Sequence, residues 1–130
     1  MTESIEFLTL DDVLEIHSQQ LARWGGSDGI RDRGALEAAI AQPQATFGGD
    51  YLHEDLFAMA SAYAFHLAES QAFIDGNKRV GLNAALLFLD FNGFVILDPE
   101  ESLFEAMIAV GTRRMTKEQL ARLLRDLADV

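Results

Sequence analysis

From Leu56 to Phe65 and from Val80 to Leu89 the chain is apolar almost without interruption, and each stretch lies inside a longer segment that reads as a helix. A helix that is apolar on nearly every face has no side to give to water, so it belongs in the middle of a bundle. The first is expected from Glu54 or Asp55 to about Ser70, and the second from Asn77 to about Phe91, where Asn92-Gly93 ends it. Only the polar stretch Gln71 to Gly76 separates them. Each apolar stretch is about ten residues, roughly half of what a bilayer span needs, so both are read as core helices and no membrane segment is expected.

The remaining segments supply helices to cover this pair. Val13, Leu14, Ile16, His17, Leu21 and Trp24 recur at spacings of three and four, as on an amphipathic helix capped by Thr9 or Asp11 and ended by Gly25-Gly26-Ser27-Asp28-Gly29. Asp32 is read as the N-cap of a helix over Gly34 to Ala41, with Leu36, Ala39 and Ile40 inward and Pro43 forbidding continuation. Thr46 to Asp50 reads as loop. Val95 to Leu97 reads as a short extended piece, followed by Asp98-Pro99, whose proline fits the first turn of a helix through Val110. Thr116, with Glu118 and Gln119 after it, caps a last helix carrying Leu120, Leu123, Leu124 and Leu127. The expectation is an all-α fold: one domain over residues 1–130, a compact bundle of about six helices around two buried central ones.

Composition narrows the partners. The chain has 130 residues, 10 Lys+Arg against 21 Asp+Glu, a formal net charge of −11 and no Cys. Without Cys there is no disulfide framework, thiolate metal site or cysteine nucleophile. The acidic excess argues against binding a nucleic-acid backbone, whose affinity comes from phosphates neutralised by Lys and Arg, and against a polybasic membrane contact. The segment Met1 to Glu6 carries acids where a targeting signal needs positive charge, so a cytoplasmic location is expected.

Against that acidic background the cations are unevenly placed. Between Arg33 and Arg113 there are only Lys78 and Arg79, adjacent, in the first turn of the second apolar helix. The helix dipole and the free amide hydrogens of that turn favour an anion and disfavour cations, so two cations there cost stability unless an anion visits. Asp75-Gly76-Asn77-Lys78-Arg79 thus reads as a phosphate site: backbone amides at a helix start, a glycine for close approach, and Lys and Arg as donors. Asp75 adds a hard oxygen ligand, which beside phosphates points to Mg²⁺. The competing reading makes Asp75 merely the N-cap and leaves Lys78 and Arg79 as solvated charges. Residue types alone do not separate the two.

Phe73-Ile74-Asp75-Gly76-Asn77-Lys78-Arg79 closely resembles the signature loop of the Fic/Doc family, specifically its Doc branch of death-on-curing toxins. That branch has the pattern His-x-Phe-x-Asp/Asn-Ala/Gly-Asn-Lys-Arg. Fic adenylyltransferases have Gly-Asn-Gly-Arg and a further Arg three positions on, where this chain has Lys78 and Leu82. Gly29 to Glu37 with Gln42-Pro43, and Leu86 to Phe94, are also similar to Doc-type stretches, so the likeness runs from about Phe7 to the last helix.

The resemblance implies the Fic/Doc fold, with the signature loop joining the two central helices, and a toxin of a toxin–antitoxin pair. The implied activity is transfer of a phosphoryl group from ATP or another nucleoside triphosphate to a hydroxyl of translation elongation factor Tu, which arrests translation. Position by position it implies that Phe73 packs the loop into the core, Asp75 holds Mg²⁺, and Gly76, Asn77, Lys78 and Arg79 contact nucleotide phosphates. Lys78 would set the γ-phosphate rather than the α-phosphate at the reacting position. The implied partner is an antitoxin whose disordered C-terminal segment folds as a helix in a surface groove. The chain lacks the Ser/Thr-x-x-x-Glu-Gly/Asn segment of self-inhibiting Fic proteins, in agreement with inhibition in trans.

One position departs from the pattern. The family's general base is a His two residues before the Phe, and here that residue is Gln71. An amide orients a hydroxyl but does not take its proton near neutral pH, and loss of a general base typically costs about 10²- to 10⁴-fold in rate. His66 is five residues away on the preceding helix, rotated by roughly 140° and shifted by about 7.5 Å, and is read as a buried structural histidine. Nothing in the sequence places His17 or His53 near the loop. Gln71 is therefore open to three readings: an inactivating substitution that lets a toxin be produced, a natural variant that binds nucleotide and transfers slowly, or a residue that orients the hydroxyl where positioning matters more than deprotonation. A Fic-type adenylyltransferase and a pseudoenzyme that binds nucleotide or antitoxin are the alternatives to an impaired kinase.

Overall fold

The computed structural model describes residues 4–98 and 101–129. Among them are six α-helices: α1 Leu10–Trp24, α2 Arg33–Ala41, α3 Leu56–Glu69, α4 Asn77–Phe91, α5 Ser102–Gly111 and α6 Lys117–Leu127. α3 and α4 form the central pair and share the most extensive contact; α6 and α2 cover α3, while α1 and α5 lie against α4. The sequence places its boundaries through caps. Thr9 and Asp12 form a capping box on α1, Asp32 accepts from Ala35 N–H at 3.0 Å on α2, Asp55 from Ala58 N–H at 2.8 Å on α3, and Thr116 and Gln119 form a second capping box on α6. Each satisfies backbone donors that the first helical turn leaves open.

The apolar character of the central pair has the expected consequence. Met59, Ala60, Tyr63, Ala64 and Leu67 of α3, and Val80, Ala84, Ala85, Phe88 and Leu89 of α4, are all buried. The Tyr63 hydroxyl accepts the Leu8 N–H at 2.9 Å, pinning the segment before α1, and burial pushes its pKa up to about 12. The described residues contain no helix long and apolar enough to cross a membrane.

Two segments differ from expectation. Thr46 to Asp50 is not plain loop: β1 Thr46–Phe47 pairs with β2 Asp50–Tyr51, leaving Gly48-Gly49 as a two-residue hairpin turn of the kind these residues favour. The other difference is the start of α5, which lies at Ser102 and not at the proline; Pro99 lies outside the described residues, as do the first residues of the chain that were read for a targeting signal. The carboxylate of Asp98 anchors this start, accepting Ser102 N–H at 2.9 Å and Leu103 N–H at 2.8 Å. Burial raises the Asp98 pKa, but hydrogen bonds from Leu103 N–H and from the hydroxyl and N–H of Ser102 outweigh it and hold the group below the usual carboxylate value. The extended piece is observed as β3 Val95–Ile96, paired antiparallel with β4 Ala128–Asp129, a partner no local pattern reveals.

Candidate functional site

The chain leaves α3 through Gln71, whose φ of 52° is left-handed and uncommon outside glycine and asparagine. Its side-chain amide donates back to the Ala68 carbonyl at 3.2 Å, which ties it to the last turn of α3. Phe73 then drives into the core, 1% exposed. Beneath it the His17 ring stacks at 3.9 Å between centroids and 10° between planes, and His17 Nε2 lies 3.1 Å from the Asp75 carbonyl oxygen. From the outside, segment 29–32 runs antiparallel to the loop: Arg31 and Asp32 N–H donate to the Ala72 carbonyl, and Ile74 N–H donates to that of Gly29.

Asn77 locks the loop from within. Its Oδ1 accepts Phe73 N–H at 3.0 Å and its Nδ2 donates to the Phe73 carbonyl at 2.9 Å, both buried. The Asn77 side chain is thus engaged by the loop itself, leaving its backbone N–H as the group that can meet a ligand. Gly76, in the left-handed conformation at φ 84°, is the N-cap of α4, and no side chain caps the helix. This removes the reading in which Asp75 is merely the cap. Within the described residues, the first-turn N–H groups of Asn77, Lys78 and Arg79 have no protein acceptor, the first intrahelical bond being from Val80 N–H to Gly76. Three open donors at a helix start, flanked by a glycine, make an anion-binding end.

A cavity of about 420 Å³ opens over this end and brings together Gln71, Asp75, Gly76, Lys78 and Arg79. All six residues expected from the sequence line it, Asn77 being the sixth. The two cations diverge. Lys78 is exposed and runs against Gly111 at the end of α5, where a Cβ on Gly111 would stand 3.2 Å from its Cε. Arg79 is partly buried, with its guanidinium carbon 4.0 Å from the Trp24 ring centroid and 4.3 Å from that of Phe104.

Asp75 is held in place without being consumed. Oδ1 accepts Gly76 N–H at 3.0 Å and Oδ2 accepts Ser27 N–H at 3.3 Å, while the residue stays exposed. A Cβ on Gly26 would come within 2.9 Å of Oδ2, so the loop after α1 approaches the carboxylate as only glycine permits. Each oxygen keeps a lone pair for a further partner. Such a donor fits Mg²⁺, which takes one or two carboxylates and fills its shell with water and phosphate oxygens. The described residues hold no cluster of three His, Cys, Asp or Glu that would bind an ion unaided.

The histidines are accounted for elsewhere. His66 is partly buried, not fully so as expected; Lys117 Nζ donates to its Nε2 at 3.3 Å, and it does not line the cavity. His53 pairs with Gln42 Oε1 at 2.8 Å, near the start of α3. His17 is the site residue that sequence reasoning missed: it supports the loop from behind, its ring closed in against Phe73. Trp24 was read as part of the inward face of α1, yet it is 54% exposed because its ring covers Arg79 and not the core. Phe104 and Ser27 were missed as well. No local signal could have found them, because Trp24, Phe104 and Ser27 each lie more than twenty positions from the loop residue they meet.

Residues 7–89 match the Fic/DOC family model. A similar protein is "Protein kinase doc" of Escherichia phage P1, 33% identical over 117 residues that cover 90% of this chain and 91% of the relative. A second is "Toxin Doc" of Mycolicibacterium smegmatis, 42% identical over 88 residues that cover 68% of this chain and 65% of the relative. With its all-α architecture, its Lys78 and its signature loop between α3 and α4, the chain belongs to the Fic/DOC family, on its Doc branch.

Proposed function

We propose that this protein is the toxin of a toxin–antitoxin pair, a Doc-type phosphotransferase whose site is complete except for its base. The observation that carries the reading is the convergence, in one cavity, of the open first-turn amides of α4 with Asp75, Lys78 and Arg79. That set suits the triphosphate of ATP and the charge that develops as the γ-phosphoryl group is transferred. Mg²⁺ held by Asp75 and the phosphates would neutralise part of that charge. The acceptor is a hydroxyl of elongation factor Tu, and its modification halts translation. The hydroxyl oxygen bonds to the γ-phosphorus, the bond from that phosphorus to the β,γ-bridging oxygen breaks, and a nucleoside diphosphate leaves.

The hydroxyl proton needs an acceptor, and Gln71 does not provide one. Its amide carries no basic lone pair near neutral pH and is tied back to Ala68. Transfer is therefore slowed by about 10²- to 10⁴-fold relative to a site with a histidine there. Gln71 also favours a second reading, a nucleotide-binding pseudoenzyme that retains antitoxin binding. An antitoxin with a disordered C-terminal segment, folding as a helix on this domain, is the proposed inhibitor, and the proposed location is the cytoplasm.

The test uses ATP labelled at either end, with Mg²⁺ and elongation factor Tu. Label from the γ-position alone on the factor, at a low rate, supports the kinase reading. Label from the α-position would replace it with adenylyl transfer, and no label with bound ATP would favour the pseudoenzyme.

A further inference from the structure

Of the two cations Lys78 and Arg79, Arg79 is partly buried, and among the described residues its charged group packs against aromatic rings. Trp24, at the end of α1, and Phe104, in the first turn of α5, each place a ring over its guanidinium carbon, at 4.0 Å and 4.3 Å. The guanidinium therefore packs against aromatic rings from two different helices, α1 and α5. Among the described residues no carboxylate pairs with Arg79. All three residues line the cavity over the start of α4.

We infer that Trp24 and Phe104 are positioning residues that clamp the Arg79 guanidinium, so that its in-plane N–H fork meets the polyphosphate of the bound nucleotide. The inference rests on the nucleotide reading above and deepens it. An arginine is attracted to a ring face by the ring's quadrupole, and this contact strengthens as water is excluded. The rings attract the cation without supplying an acceptor, so the residues that hold it take up none of its five N–H donors. A carboxylate in the same place would hold Arg79 equally well and occupy the donors that phosphate oxygens need. Holding the fork before the ligand arrives also removes ordering entropy from the binding step. The arrangement explains why Trp24 stands 54% exposed at the end of an amphipathic helix whose other large apolar residues are buried or partly buried.

The chain has one tryptophan, and it is a member of the clamp, so its fluorescence reports on the site. The full chain is titrated with MgATP and, separately, with inorganic tripolyphosphate, by calorimetry and by Trp24 emission. The unaltered protein is expected to bind both, with a change in emission. Phe104→Leu should weaken both ligands by about 10-fold, and Trp24→Ala by at least as much, while Phe104→Tyr and Trp24→Phe retain most of the affinity. The decisive arm repeats Phe104→Leu in an Arg79→Ala background, where the clamp has nothing to hold and the further loss should vanish. Thermal melting of each variant separates a folding defect from a binding defect. If the unaltered chain binds neither ligand, both this inference and the nucleotide reading fall. If it binds both but Phe104→Leu has no effect, or weakens binding equally with and without Arg79, only the inference is overturned.

Discussion

The Asn77 amide and the Phe73 peptide group close a two-way hydrogen-bonded ring, Oδ1 accepting Phe73 N–H at 3.0 Å and Nδ2 donating to the Phe73 carbonyl at 2.9 Å. Both bonds are buried, and they set the loop that turns α3 into α4. Asn77→Ala leaves a buried donor and a buried acceptor without partners, each costing about 1–3 kcal/mol. Denaturant unfolding should show a loss of that order, with MgATP affinity falling in parallel. Asn77→Asp keeps the acceptor but sets a buried carboxylate oxygen against the Phe73 carbonyl, so near neutral pH it should destabilise at least as much as Asn77→Ala.

Gly81 permits the close approach of the central helices. A Cβ at this position would stand 2.6 Å from the Ala64 carbonyl oxygen, which is backbone and has nowhere to go. Gly81→Ala gains helix propensity, worth about 1 kcal/mol, but forces α3 and α4 apart, and overpacking of this kind costs about 1–3 kcal/mol. The expected outcome is a lower melting temperature despite the better helix former. An unchanged or raised melting temperature would show that the pair is not packed this closely.

His66 predicts a pH dependence. Burial lowers its pKa from 6.5 to about 4, with Lys117 and then His53 adding charge repulsion. The unfolded chain takes up this proton near pH 6.5 and the folded chain only near pH 4, so in that window the unfolded state binds more protons. The neutral ring's contribution is fully present above pH 6.5, declines as pH falls toward about 4 and then levels off. His53, lowered chiefly by burial, acts in the same sense. Melting curves across this range should show His66→Gln flattening the slope relative to the unaltered chain.

The sequence carried most of the site because the site is local. Asp75 to Arg79 are consecutive, and the features that matter, a glycine at a helix start and two cations isolated among acids, are visible in a short window. The central helices were legible for a related reason, since a segment apolar on every face has only one place to go. The parts that escaped notice are held by contacts distant in sequence. His17 meets Phe73 and Asp75 across more than fifty positions, a separation that no periodicity encodes. Trp24 looked like a core residue because helical spacing cannot distinguish an aromatic ring facing a core from one facing a guanidinium. At α5, a proline suggested the first turn, whereas the carboxylate of Asp98 satisfies donors at Ser102 and Leu103 and so sets the start further on. With a net charge of −11 the acidic surface would repel free nucleotide at long range, so on the proposed reading capture would rest on this one loop.

The central claim is that nucleotide machinery is intact around a vacated base position, and γ-phosphate transfer by the protein and its Gln71→His variant tests it most directly. Each is incubated with γ-labelled ATP, Mg²⁺ and elongation factor Tu under the same conditions, and the initial rate of label incorporation is compared. The account predicts transfer by Gln71→His about 10² to 10⁴ times faster than by the unaltered chain. Equal rates for the two proteins, or no transfer by the histidine variant, would contradict it.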